Sequence, residues 1–139
     1  MTASKSEQII AAMVSALAGT TGVGGRIYRD RQEAISRAEC PALVIEPAGE
    51  DHESTLAPYT DSTLLVIIHV LVNGAPTSTL ADPTRVSLHS KLFADDTLGG
   101  LVHGIESAGC QWSLEPAEIG ALLCTYRLRF RTLTNDLTQ

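Results

Sequence analysis

The sequence predicts an α+β fold: a single mixed or antiparallel β-sheet of about five strands, with an N-terminal helix and one or two further helices packed on it. Three observations predict it. Thr63 to Val72 reads Thr-Leu-Leu-Val-Ile-Ile-His-Val-Leu-Val, apolar on both alternating sets of a strand. Ala121 to Thr132 alternates sharply, with Leu122, Cys124, Tyr126, Leu128 and Phe130 on one face and Arg127, Arg129 and Arg131 on the other. Near the N-terminus, Ile9, Ile10, Met13, Val14 and Leu17 recur at the spacing of an amphipathic helix.

The elements follow in order. Ser4, with Glu7 three residues on, is a capping-box start for the first helix, and Gly19 is its stop. The run could be mistaken for a secretory signal because Ala16-Leu17-Ala18 mimics a cleavage site, but Glu7 cancels Lys5 and the periodicity is that of a core helix. Gly19-Thr-Thr-Gly22-Val-Gly24-Gly25 resembles a phosphate loop in composition alone. A helix precedes it, no Lys-Ser/Thr pair follows, and it reads as a connector. A short strand is expected at Arg26–Arg31, then a polar connector from Gln32 to Cys40 with room for a helical turn. Ala42–Ile45 reads as a strand ended by Pro47-Ala-Gly49, and Glu50 to Tyr59 as an acidic, exposed loop. The long strand at 63–72 closes at Asn73-Gly74. Being apolar on both faces, it must be covered on both, by helices or by another subunit.

Asp82-Pro83 has the form of an N-cap and first-turn proline, predicting a helix that runs through Phe93. Asp95-Asp96-Thr97 is expected to cap a second short helix, Leu98–Ser107, with Leu98, Leu101, Val102 and Ile105 inward and Gly109 as its stop. Cys110, Trp112 and Leu114 alternate with polar residues as a half-buried strand. Glu115–Gly120 is expected to turn the chain, so the last two strands make a hairpin.

A chain of 139 residues forms one domain, 1–139, large enough to build a core without disulfide staples. Ten basic against sixteen acidic residues give a net charge of -6, which argues against a free-standing nucleic-acid binder. Cys40, Cys110 and Cys124 are odd in number and show no CxxC spacing, which reads as reduced, buried thiols in a cytosolic setting. No segment predicts a membrane span. The charge is segregated along the chain. Residues 38–84 hold seven acids (Glu39, Glu46, Glu50, Asp51, Glu53, Asp61, Asp82) and no Lys or Arg. The remainder has ten bases against nine acids, so -7 faces +1. Two complementary surfaces on one protomer suit a head-to-tail contact that can close into a ring, while Glu50–Glu53 taken alone suits a solvated loop.

Candidate chemistry is sparse. His52, His69, His89 and His103 form no HExxH pair, and no G-x-S-x-G is present. His69 on an apolar strand fits a core or interface histidine. His89, His103, Asp95 and Asp96 lie on neighbouring segments and could converge on a metal, which keeps a small metal-dependent enzyme as the alternative from another class. Two readings of the arginine row stand. It is a solvated strand face whose stems cover apolar surface, or it meets an acidic partner or lines an electropositive channel.

Several features in fixed order resemble the tail terminator (tail-completion) proteins of long-tailed bacteriophages. They are the N-terminal helix, Arg26-Ile-Tyr-Arg-Asp-Arg31, Cys40-Pro41-Ala-Leu-Val-Ile-Glu-Pro47, the strand at 63–72, Lys91-Leu-Phe-Ala-Asp-Asp-Thr-Leu-Gly-Gly-Leu101, and Tyr126-Arg-Leu-Arg-Phe-Arg-Thr132-Leu-Thr-Asn-Asp136. The stretches 19–25 and 49–59 lie outside the resemblance. The resemblance implies a structural virion protein, not an enzyme, with no cofactor. It would form a homo-oligomeric, hexameric ring, cap the tail tube, stop its polymerisation and offer the head-joining surface. Its partners would be the tail tube protein and the head-completion or connector protein, with DNA merely passing through the lumen and no membrane involved. It would assemble in the host cytoplasm and end at the head-proximal end of the tail. On this view Arg127, Arg129, Arg131, Ile67 and His69 are expected at a subunit or lumen interface, and Glu50, Asp51 and Glu53 at a contact with the tube or head partner. Another neck component, a head–tail connector or stopper, is the nearest alternative.

Overall fold

The structure is a computed structural model and describes residues 3–30, 33, 35–54, 58–74, 76–113 and 119–139. Its elements are α1 (Lys5–Ala16), β1 (Ile27–Arg29), a single 3-10 turn at Arg37–Glu39, β2 (Ala42–Ser54), β3 (Tyr59–Asn73), α2 (Thr77–Ala94), β4 (Gly104–Trp112) and β5 (Ile119–Leu133). They form one five-stranded sheet in the order β1-β2-β3-β5-β4. β1 runs parallel to β2 and every other pair is antiparallel, so the sheet is mixed, as expected. The expected hairpin of the last two strands is present, although Leu114 and residues 115–118 of its turn lie outside the described residues, as does Arg31.

Both helices pack on one face. Ile9, Ile10, Met13 and Leu17 of the α1 segment and Ala81, Leu88 and Leu92 of α2 meet the inward set of the sheet: Leu43 and Ile45, then Leu64 to Val72 on β3 and Leu122 to Phe130 on β5, each at alternate residues. Burial of this continuous apolar layer, at roughly 25 cal/mol per Å², is the main force holding the helices down. The Ser4 side chain caps α1 by accepting from the Glu7 backbone N–H, as its sequence predicts. A second, smaller cluster lies on the opposite face, where Ile35, Ala42 and Val44 gather with Tyr28, Cys40 and Leu71.

Three expectations are corrected. The acidic stretch is not a loop, because β2 continues through Ser54 and pairs with β3 as far as Ser54 opposite Thr60. A register shift between Pro47 and Gly49 absorbs the proline. β1 covers β2 only at Leu43–Ile45, so Pro47 sits on a free strand edge where its missing N–H costs nothing. Secondly, α2 begins at Thr77, six residues before the proline that was expected to start it, and Pro83 lies inside the helix. Ala81 and Thr84 are buried, and Thr84 Oγ1 donates to the Thr21 carbonyl at 3.0 Å. That packing on both sides of Pro83 outweighs the one hydrogen bond the proline removes.

The third correction is the expected Leu98–Ser107 helix, which is a turn followed by β4. Asp95 accepts from the backbone N–H groups of Thr97 and Gly99 at 3.2 and 2.9 Å, an Asx-type turn. Leu98, Gly99 and Gly100 then carry φ of 49°, 72° and 91° in succession. A right-handed helix cannot pass through a left-handed run of that kind. Leu98, Val102 and Ile105 are buried as expected, by a different backbone.

Candidate interaction surface

With both helices on one side, the other sheet face carries the side chains that alternate outward, covered among the described residues by the small Ile35 cluster at Ala42, Val44 and Leu71. Antiparallel partners share a face, so the register assigns it directly. Leu65 lies opposite Arg127, Thr63 opposite Arg129 and Asp61 opposite Arg131; Ile67 opposite Thr125, His69 opposite Leu123 and Leu71 opposite Ala121. The arginine row is therefore on the outer face, as its alternation predicts, and Ile67 and His69 share that face. It divides into an apolar half around Ile67, Leu71 and Leu123, half-buried within the protomer, and a charged half at the opposite end of β3 and β5.

The charged half is a lattice of partners. Glu106 of β4, opposite Arg127 in register, accepts from Arg127 Nη1 at 3.2 Å and Arg129 Nη2 at 2.9 Å. Arg131 is held bidentately by Asp61, Nε to Oδ1 at 2.7 Å and Nη2 to Oδ2 at 3.1 Å, and lies 5.1 Å from the Tyr59 ring centre. Arg129 is the most open of the row, its side chain 64% exposed. Sequence reasoning missed Glu106, which it assigned to a helix, and counted Asp61 with the acidic stretch. The structure brings that stretch against the basic row, so part of the -7/+1 separation along the chain cancels in space.

His69 is paired as well. Its Nε2 lies 2.8 Å from Glu46 Oε1, across the β2–β3 boundary of the apolar half. The three acidic residues expected to form one contact are divided between faces. Glu50 lies opposite the inward Leu64, accepts from the Ser6 hydroxyl and sits 3.0 Å from His52 Nε2. Asp51 and Glu53, opposite Thr63 and Asp61, belong to the outer face. They line a cleft of ≈ 430 Å³ with Asp61, His103 and Arg129 at the charged corner.

The residues of the metal alternative go elsewhere. His89 Nδ1 lies 3.0 Å from the Tyr126 hydroxyl on the helix side of the sheet, stacked near Phe93. Asp95 closes its own turn, Asp96 is exposed, and the His103 backbone N–H donates to the Arg129 carbonyl at 2.7 Å. Among the described residues, no group of three or more His, Cys, Asp or Glu is placed to hold a metal ion.

The ion pairs carry a pH signature. The Arg131 hydrogen bonds hold the Asp61 carboxyl below its ordinary value, with Arg131 and His103 charge adding to the effect and slight burial opposing it. Glu7 is lowered in the same way by Arg29, which it binds at 2.7 and 2.8 Å. A carboxylate with a depressed folded-state pKa contributes stability that is present above its unfolded value, about 4 for Asp and Glu, and is lost as pH falls through the folded value. Stability is expected to decline below about pH 4. Asp61→Asn should flatten part of that decline, being less stable than the parent near neutrality, where the ion pair is formed, and converging with it at low pH. Denaturation midpoints measured from pH 2 to 7 check this, and the difference between the two proteins should shrink in high salt because both groups are exposed.

These features define a class: a one-sheet α+β protein with its helices on a single side and an open sheet face divided into apolar and charged halves. Among the described residues, no helix is long and apolar enough to cross a membrane. Among solved structures, a chain of the "Virion of native gene transfer agent (GTA) particle" has this fold, with a TM-score of 0.56 over 93% of this chain and 92% of that chain, at 16% identity. A likeness at that identity is one of fold. No family model matches the sequence, and no curated protein matches it.

Proposed function

We propose that the protein is a structural component of a phage-like virion and acts as a ring-forming tail terminator. The observation that carries this reading is the outer sheet face: among the described residues its apolar half has no helix layer beyond the small Ile35 cluster at Leu71, and its charged half offers both signs to a neighbour. A fold shared over nearly the whole chain with a chain of a gene transfer agent virion supports it, as does the resemblance read from the sequence. In this role, copies of the chain form a hexameric ring at the head-proximal end of the tail. The ring caps the tube, stops addition of tube subunits and presents a surface to the head-completion protein, while DNA passes through the lumen. The role is architectural, without catalysis or cofactor. Ile67 and His69 belong to the contact between copies, and Arg127, Arg129 and Arg131 to that contact or the lumen. Asp51 and Glu53, on the outer face, meet the tube or head partner; Glu50, turned to the helix side against Ser6, would meet such a partner only from that side.

Electron microscopy of particles produced without the protein tests the reading. The expected result is tails of uncontrolled length, restored to uniform length when the protein is supplied. Tails of normal length that fail to join heads would overturn the terminator role and favour a connector or stopper.

A further inference from the structure

The two thiols of the last hairpin face each other. Cys110 on β4 and Cys124 on β5 are direct register partners, and Cys110 Sγ–H donates to Cys124 Sγ at 3.6 Å. Both are free. Residues opposite one another in an antiparallel pair have Cα atoms about 4.5–5.5 Å apart, inside the roughly 4.4–6.8 Å that a disulfide spans. Side-chain rotation alone can therefore close the remaining distance.

The surroundings make the pair asymmetric. Cys124 is 1% exposed, whereas Cys110 is half-buried on the edge strand β4. Trp112, the next inward residue of β4, is exposed and carries the Arg85 guanidinium 5.6 Å from its ring centre. At Cys124 the Arg85 charge only partly opposes burial, and Tyr126 lies beyond it on β5. Cys40 belongs to the separate cluster on the other face and has neither sulfur near it among its contacts.

We propose that Cys110 and Cys124 form a dithiol site that low-molecular-weight disulfides oxidise to a cross-strand disulfide. In the first step the Cys110 thiolate attacks one sulfur of the external disulfide. A mixed disulfide forms at Cys110, and one external thiolate leaves and takes up a proton. Cys124 then attacks Cys110 Sγ as its proton passes to the second external thiolate, which is expelled as a thiol. The two protein thiols are oxidised, and the external disulfide is reduced to two thiols. Burial pushes the Cys124 thiol up to about 12, which disfavours its direct reaction with an external disulfide; in the second step its position against Cys110 Sγ, 3.6 Å away before reaction, makes the attack intramolecular.

The bond would tie β4 to β5 on the helix side, beyond the bulge at Ser107/Gly109, where Glu106 already ties the same strands on the outer side. The chemistry stands without the virion reading. For a virion protein, release from the cell supplies the passage from reducing to oxidising surroundings.

The test is titration of the unmodified protein with oxidised glutathione, followed by intact mass and peptide mapping. The expected product has lost two hydrogens and contains a Cys110–Cys124 cross-linked peptide, with no glutathione retained on either residue. Its urea midpoint should rise, and reduction should return it to the starting value. Cys40→Ser should react identically, and Cys124→Ala should stop at a glutathione adduct on Cys110. A persistent adduct on Cys110 in the unmodified protein, a cross-link involving Cys40, or failure of both hairpin thiols to react while Cys40 does would each overturn the proposal.

Discussion

Replacing Gly120 with alanine is expected to lower the stability of the fold by about 3 kcal/mol, the upper part of what overpacking costs. Gly120 lies near the start of β5, opposite Val72, and is buried. A Cβ built there would overlap Oγ1, Cγ2 and Cβ of Thr77, the first residue of α2. The overlap is with a short, β-branched side chain, so rotating a flexible end out of the way gives no relief. The backbone of either the helix start or the strand has to move. Thr77 follows β3 after a short connection and precedes the buried Ala81, which ties the helix start to the sheet at both ends. The prediction includes its own control. Thr77→Gly removes all three overlapping atoms, at a propensity cost of about 1 kcal/mol. Gly120→Ala in that background should cost less than about 1 kcal/mol, giving a coupling energy of about 2 kcal/mol in a double-mutant cycle. Urea denaturation with an unchanged m-value provides the measurement. A Gly120→Ala protein within ~0.5 kcal/mol of the parent would show that the helix start yields freely.

The contrast between this contact and the strands shows what was legible in the sequence. β3 was readable as an unbroken apolar run rich in Val and Ile, and β5 by its period of two; in both, Leu64 to Val72 and Leu122 to Phe130, alternate residues are buried. The α1 segment was readable because cap and stripe agree. Where two signals disagreed, the local one lost. Asp82-Pro83 has the chemistry of a helix start, yet burial of Ala81 and the seat of Thr77 on Gly120 extend the helix past it. Leu98, Leu101, Val102 and Ile105 have helical spacing, but the same inward set is satisfied by a left-handed turn leading into a strand. The Gly99-Gly100 pair held the clue, since consecutive glycines suit positive φ more readily than close helix packing. The acidic 50–54 stretch was misread from its composition. On an edge strand, charge is compatible with pairing and protects the free edge.

The interaction surface was legible by face and illegible by partner. Alternation places the arginines opposite Leu128 and Phe130, and Ile67 with His69 on the same side as Leu65 and Leu71. It does not give the register between one strand and the next. That register puts Glu106 between Arg127 and Arg129, Asp61 on Arg131, and Cys110 against Cys124. Each of those contacts is set by how β3 or β4 slides past β5, a quantity that face alternation within one strand does not carry.

Ile67→Glu is expected to abolish assembly while leaving the protomer folded. Ile67 stands in the central strand β3, half-buried, with Thr125 opposite on β5 and Glu46 opposite on β2. If copies of the chain meet through the apolar half of the face, the new carboxylate must be desolvated beside Glu46, a like charge directly across the strands. A penalty of about 3 kcal/mol per contact weakens each by roughly 100-fold, and a closed ring multiplies the loss over its contacts. Sizing with light scattering across protein concentration should therefore show monomer where the parent protein assembles. Because Ile67 is only half-buried in the isolated protomer, the monomer's stability should fall by no more than about 1 kcal/mol. Ile67→Thr, a gentler change, should weaken assembly in part, which keeps the test valid if the glutamate disturbs folding. Arg129→Glu should act differently. It places a second carboxylate against Glu106 at the most open position of the row, so its effect on assembly or on joining to the head should be smaller and fade with salt. Val86→Glu, 60% exposed on α2 in the opposite layer, should assemble as the parent does. Assembly retained in Ile67→Glu and lost in Val86→Glu would move the contact to the helical side and remove the sheet face from the proposed ring.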